Sequence, residues 1–220
     1  MHSDVERPLG PQPNDGACSM RIAIIGAGKV GTALGRQFTG AGHDVTYGVR
    51  DHADPKHAAL GDAVHTVPEA IAGTEVVLLT TPWAAARDAL LSAGDFAGKV
   101  LIDATNPIGP GMVLTHGITD SGAEQVARWA PSARVVKAFN SVGMEVMENP
   151  TFANGRSVLW LCGDDSDACT IAATLGESIG FEPVHLGPLA RARFQEPAAL
   201  VWITASASLG RQFSWGVLRR

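Results

Sequence analysis

Gly26, Gly28 and Gly31 stand at G-x-G-x-x-G spacing in the run Gly26-Ala27-Gly28-Lys29-Val30-Gly31. Side-chain-free residues in that pattern suit a pyrophosphate held against bare backbone. Gly26 permits a tight turn, Gly28 lets phosphate oxygens approach the chain, and Gly31 lets a helix pack closely on a strand. Further on stand Val49, Arg50 and Asp51. An acidic residue at that place favours NAD, whereas an arginine accommodates the 2′-phosphate of NADP. Arg50 comes first, so the order predicts NADP(H). A guanidinium grips a phosphate with two N–H bonds, and a carboxylate repels it. Lys56 is a second candidate donor; a solvated surface role is the alternative for both cations. Asp51 either points to solvent or caps a helix.

These residues need a strand and a helix to position them. Arg21-Ile22-Ala23-Ile24-Ile25 is a short β-branched apolar run, the composition of a strand buried on both faces. Val30, Leu34 and Phe38 share one helical face, and Gly40 to Gly42 end that helix. The glycines therefore join a strand to a helix whose N-terminus presents N–H groups and a positive dipole end to phosphates.

Further strands are expected at 45–49, 75–80, 99–103, 133–138, 157–162 and 183–186. Helices are expected at 68–72, from Pro82 onward, at 121–129, after Ser166 and at 197–213. Strands alternating with helices predict an α/β fold, a Rossmann-type doubly wound and mainly parallel sheet with a small C-terminal lobe. The expected division is a loose tail over 1–20, a nucleotide-binding domain over 21–140 and the lobe over 141–220. The strand ends should meet at one edge of the sheet, which brings Thr80, Thr81, Asn106 and Asn140 together, with Pro82 ending its strand and opening the next helix. Asn140 carries the donor and acceptors that suit a carboxamide such as nicotinamide's. For the asparagines and threonines the alternative is a turn residue bonded to its own backbone. Asp164, Asp165 and Asp167 read as helix caps in preference to a metal site.

Composition sets outer limits. The chain has 220 residues, 45% hydrophobic content and a net charge of -5. That is enough for one core and a small second unit. Without a long basic run, a nucleic-acid partner is not expected. Cys18, Cys162 and Cys169 lack metal or disulfide spacing, which suits a reducing cytoplasm. No stretch approaches the roughly 20 apolar residues of a membrane span. Met1 to Ser19 is polar, carries three prolines and lacks the apolar segment of a signal peptide.

The ordered motifs resemble a known family. The stretch 21–51, the corner Thr80-Thr81-Pro82-Trp83, the run Val135-Val136-Lys137-Ala138-Phe139-Asn140, Cys162-Gly163-Asp164-Asp165 and Gly187-Pro188-Leu189 are similar to the NADP-dependent reductases that use the deazaflavin coenzyme F420. The cytoplasmic domain of the six-transmembrane metalloreductases looks alike. The resemblance spans 21 to about 203. It implies a Rossmann NADP domain with a small C-terminal lobe, paired as a homodimer. It also implies hydride exchange between NADP(H) and a deazaflavin (F420) or flavin ring laid on the nicotinamide. By the same resemblance Gly26 to Gly31 hold the pyrophosphate, while Thr81-Pro82 and Ala138-Phe139-Asn140 line the nicotinamide side. Val49-Arg50 stands where the family more often has serine-arginine, so one phosphate donor is missing.

Transfer between two bound rings needs no protein nucleophile. The sequence offers no G-x-S-x-G elbow, no paired carboxylates in a plausible site and no Tyr-x-x-x-Lys pair, so no catalytic side chain and no metal ligand is assigned. The partner expected is a small-molecule hydride acceptor. Two other readings stand beside this one. One is an NADP(H)-binding redox sensor without turnover. The other is a reductase of a small imine or keto acid, whose relatives carry a longer helical C-terminal domain than fits after Asn140.

Overall fold

The computed structural model describes residues 19–220; the expected loose tail lies outside them except for Ser19 and Met20. Those two are bound to the body of the protein. The Ser19 hydroxyl donates to the Gly42 carbonyl at 2.8 Å, and the Met20 N–H donates to His43 Nδ1 at 3.2 Å.

The chain runs β1 (Arg21–Ile25), α1 (Lys29–Gly40), β2 (Asp44–Val49), β3 (Val64–Thr66), α2 (Val67–Ile71), β4 (Val76–Leu79), α3 (Trp83–Ala93) and β5 (Val100–Asp103). A small ribbon, β6 (Ile108–Gly109) with β7 (Val113–Leu114), precedes α4 (Gly122–Trp129), β8 (Arg134–Lys137) and α5 (Met144–Glu148). A second ribbon, β9 (Thr151–Phe152) with β10 (Gly155–Arg156), leads to β11 (Val158–Gly163), α6 (Ser166–Ser178), β12 (Glu182–His185) and α7 (Ala192–Leu209).

Eight strands form one sheet in the order β12-β11-β8-β5-β4-β1-β2-β3. All neighbours are parallel except β11, which runs antiparallel to β8. Side chains alternate across the sheet, so consecutive residues fill opposite cores. Ile22, Ile24, Leu78 and Ile102 pack on one face with Leu34 and Phe38 of α1 and Leu175 of α6. Ala23, Ile25, Leu79 and Leu101 pack on the other with Ile71 of α2, Leu90 of α3 and Val126 of α4. Each fully buried aliphatic side chain contributes about 1.5 to 3 kcal/mol. The mainly parallel, doubly wound α/β fold expected from the alternation is the fold observed.

Three local expectations are corrected. β3, an edge strand of three residues, follows a 3-10 turn over Pro55–Ala63 and was not expected. The terminal helix begins at Ala192, not at Pro197, which lies inside it. Its first turns face the protein with polar Gln195 and Glu196, so apolar periodicity does not reveal them. It ends at Leu209, before Gly210. Phe213 lies beyond it and stacks on Trp202 with ring centroids 5.2 Å apart.

Strand order reverses between β1 and β4, and the crevice at such a switch point is where open α/β sheets bind ligands.

Candidate functional site

Two cavities open along the carboxyl edge of the sheet. The larger, about 1020 Å³, runs from the glycine turn to the end of β2. Gly26, Ala27, Gly28, Val49, Arg50, Lys56, Thr80, Thr81 and Pro82 all line it. The smaller, about 660 Å³, is lined by Lys29, Val30, Asn106 and Asn140 together with residues of α5, α7 and the segment after α7.

The glycine turn has the geometry its spacing predicts. Gly26 adopts φ +107°, a conformation that side chains rarely take. A Cβ on Gly28 would meet nothing within 4 Å, so its bare face looks into open space. A Cβ on Gly31 would lie 2.0 Å from the Gly26 carbonyl oxygen, so the helix rests directly on the turn. No side chain caps α1 at Gly28, which leaves its first N–H groups directed outward.

Thr80 braces this turn from the neighbouring strand. Its hydroxyl donates to the Gly26 carbonyl at 2.8 Å and to the Ile25 carbonyl at 3.1 Å. The Thr81 hydroxyl oxygen is buried without a hydrogen-bond partner. Pro82 stands at the N-cap of α3.

At the other end of this cleft Arg50 is exposed, and among the described residues no ion pair engages it. Asp51 is exposed and caps no described helix; its Oδ1 accepts the Ala53 N–H at 3.1 Å in a turn. Lys56 is ion-paired with Asp54, whose carboxyl that ammonium holds below the usual range. His57, which the sequence reading missed, also lines the cleft.

The two asparagines meet at the floor of the smaller cavity, whereas Thr80, Thr81 and Pro82 line the larger one, so the expected convergence holds only in part. Asn106 Nδ2 donates to the Asn140 carbonyl at 2.8 Å, and Asn140 Nδ2 donates to Asn106 Oδ1 at 2.9 Å. Gln195 Nε2 then donates to Asn140 Oδ1 at 2.7 Å and to the Trp160 carbonyl at 2.8 Å. These amides therefore knit β5, β8, β11 and α7 together. Ala138 and Phe139 are buried and line neither cavity. Phe139 sits edge-on to Phe38 and Phe181, in left-handed backbone at φ +61° that turns the chain toward Asn140.

Beneath that floor lies a buried charged group with no counterpart among the expected site residues. Lys137 Nζ lies 2.8 Å from Asp103 Oδ2 and 3.0 Å from Glu196 Oε1, and donates to the Thr105 carbonyl at 2.5 Å. All three charged side chains are essentially sealed from solvent. Burial alone would push the ammonium down, but the two carboxylates outweigh it and hold Lys137 above its usual value. Glu196 also accepts the N–H groups of Gly122 and Ala123 at the start of α4, at 2.9 and 3.0 Å. The sequence does carry a signal: a lysine inside an otherwise apolar buried strand needs a partner.

The three aspartates near α6 act within the chain. Asp165 caps the helix by accepting the Ala168 N–H at 2.7 Å, and Asp164 accepts that of Leu189 at 2.9 Å. Asp167 lies in the first turn. Burial pushes the Cys162 thiol up to about 12, which keeps it from acting as a thiolate.

A family model described as NADP oxidoreductase, coenzyme F420-dependent, matches residues 21–107. The metalloreductase STEAP3 of Rattus norvegicus is 31% identical over 185 residues, which are 82% of this chain and 36% of that protein. The chain thus spans about a third of that relative. A structure from Arthrobacter sp. FB24, provisionally assigned as an F420-dependent NADP reductase, is 32% identical with a TM-score of 0.83, over 91% of this chain and 100% of that one. The hypothetical protein SMa0349 of Sinorhizobium meliloti is 34% identical with a TM-score of 0.69, over 78% and 86% of the two chains. A reductive aminase from Aspergillus terreus in complex with NADPH4 shares the fold at 21% identity and a TM-score of 0.63, over 87% of this chain and 63% of that one.

Proposed function

Because the chain belongs to the coenzyme F420-dependent NADP oxidoreductase family, we propose that it transfers a hydride between NADP(H) in the larger cleft and a deazaflavin or flavin ring in the smaller cavity. That family is one of NADP-dependent oxidoreductases.

The observation that carries this reading is the pairing, within one cleft, of a bare uncapped helix start with an arginine just after β2 that no ion pair engages among the described residues. Open space at Gly28 fits a pyrophosphate, and the α1 N–H groups complement its charge. Arg50 fits a 2′-phosphate, with Asp51 held in its own turn. Bound there, the nicotinamide nucleotide would supply the hydride chemistry and the acceptor ring the other partner of the exchange. The protein's part is to orient the two partners and exclude water. Thr80 fixes the turn, and the Asn106–Asn140–Gln195 network fixes the floor of the smaller cavity.

Arg50→Ala tests the cofactor assignment. NADPH affinity should fall roughly tenfold or more, the scale of a lost charge-assisted phosphate contact. NADH affinity should hardly change. Calorimetry with both nucleotides decides, and equal losses would remove Arg50 from the ribose phosphate. Loss of the reduced-nicotinamide absorbance on adding F420 or FMN tests the transfer itself. Tight NADPH binding with no turnover by either acceptor would favour the redox-sensing module.

A further inference from the structure

The end of the larger cleft beyond β2 holds fewer free donors than its sequence suggests. Val49 lines it with an apolar side chain. Lys56 is held by Asp54, which accepts both its ammonium and its backbone N–H. Arg50 remains, with no ion pair among the described residues. A ribose phosphate presents three acceptor oxygens, more than one guanidinium fork covers.

His57 lies in this gap. The residue is only 8% exposed, yet among the described residues its ring makes no hydrogen bond and no ion pair. Polar groups buried to that degree are hydrogen-bonded as a rule, so an imidazole without a partner calls for one from outside the chain. The direction is given by the cleft, which His57 lines. Two backbone bonds bring it there. The Asp54 N–H donates to the Asp51 carbonyl at 3.5 Å, and the His57 N–H donates to the Asp54 carbonyl at 2.9 Å. The chain thus folds back toward the end of β2, beside Arg50. The Asp54 carboxylate feels the imidazole only through space, because its hydrogen bonds go to Lys56. Thr81, whose hydroxyl oxygen is also unpartnered, belongs to the opposite end of the cleft, against Gly26.

Resting on the reading that this cleft holds NADP(H), we propose that His57 is a second specificity residue, whose ring N–H donates to a 2′-phosphate oxygen that Arg50 leaves free. Neutral or protonated, an imidazole always has a ring N–H to offer, so the contact requires no change of charge. The residue is preorganised for the task, since its burial restricts the ring before the nucleotide arrives. Adenine is the other group of the nucleotide that an imidazole could meet, but it would use the face of the ring and leave the nitrogens unpartnered.

NADPH and NADH differ only by that phosphate, so calorimetry of the full chain with both isolates it. His57→Phe keeps a flat ring and loses the donor. Its NADPH affinity should fall about three- to tenfold, the scale of one hydrogen bond, with NADH unchanged. His57→Ala carries the same prediction where the larger phenyl ring does not fit. His57→Gln offers an N–H again and should recover part of the preference. Adding His57→Phe to Arg50→Ala should bring the two nucleotides to nearly equal affinity. An unchanged NADPH-to-NADH ratio in both His57→Phe and His57→Ala would overturn the proposal. So would an equal loss for both nucleotides in His57→Ala with none in His57→Phe, which would assign the ring to adenine. An equal loss in every variant together with a lower melting point would make His57 a packing residue and overturn it too. A wild-type chain that binds both nucleotides alike would remove the 2′-phosphate site as a whole. A preference lost in Arg50→Ala but kept in His57→Phe and His57→Ala would remove His57 alone.

Discussion

Lys137→Met should lower the unfolding free energy by about 3 to 5 kcal/mol, the cost of leaving buried charges without their partner. Asp103 and Glu196 are sealed from solvent and would face each other across the gap left by the ammonium. For a domain with a total stability of about 5 to 15 kcal/mol this is a large fraction. In a chain of this size it corresponds to a melting point lower by roughly 10 °C. Coulomb attraction within the triad is not the reason for the cost, because desolvation offsets most of it. The reason is asymmetry, since removing one partner strands the others. Replacing all three together, with Asp103→Asn and Glu196→Gln added, should therefore recover much of the loss. Denaturant titration of the single and triple variants checks this. A loss under about 1 kcal/mol for the single variant would show that the triad relaxes or hydrates freely.

Gly28→Val should weaken NADPH binding by on the order of a hundredfold or more while leaving the fold intact. In the free protein a Cβ at this position meets nothing within 4 Å. The side chain would occupy the space a pyrophosphate needs. Losing two charge-assisted phosphate contacts costs about 3 to 6 kcal/mol. Gly31→Ala should behave in the opposite way. Its Cβ would lie 2.0 Å from backbone at Gly26 and 2.7 Å from the Thr80 hydroxyl, so the turn itself must shift. Overpacking of that kind costs about 1 to 3 kcal/mol. Melting curves and calorimetry on the two variants separate a binding glycine from a packing glycine. A destabilised Gly28→Val would contradict the assignment.

The glycine turn, the mainly parallel sheet and the place of Arg50 at the end of β2 are legible in the chain because each depends on local rules. A G-x-G-x-x-G between a β-branched run and an amphipathic stretch has one structural meaning, and parallel strands must present their carboxyl ends to one edge. The α6 cap at Asp165 is legible for the same reason. The start of α7 was not, because its inward residues Gln195 and Glu196 are polar. Their burial makes sense only with Asn140, Lys137 and the start of α4 in view. Asn140 shows the limit from the other side. Its position at the floor follows from strand order, but the use of its amide depends on Asn106 and Gln195, which are distant in sequence. The antiparallel entry of β11 also escapes local reading, since a buried strand has the same composition in either direction. Closure of the smaller cavity by Arg211 depends on a segment beyond the last helix, without a periodic pattern to read.

The central claim is that the larger cleft holds a phosphorylated nicotinamide nucleotide, recognised at its pyrophosphate by α1 and at its 2′-phosphate by Arg50. Calorimetric titration of the intact chain with NADPH and with NADH addresses it directly. One NADPH should bind per chain, with NADH weaker by roughly tenfold or more, the scale of a lost charge-assisted contact. Equal affinity for the two, or no heat from either, would contradict it.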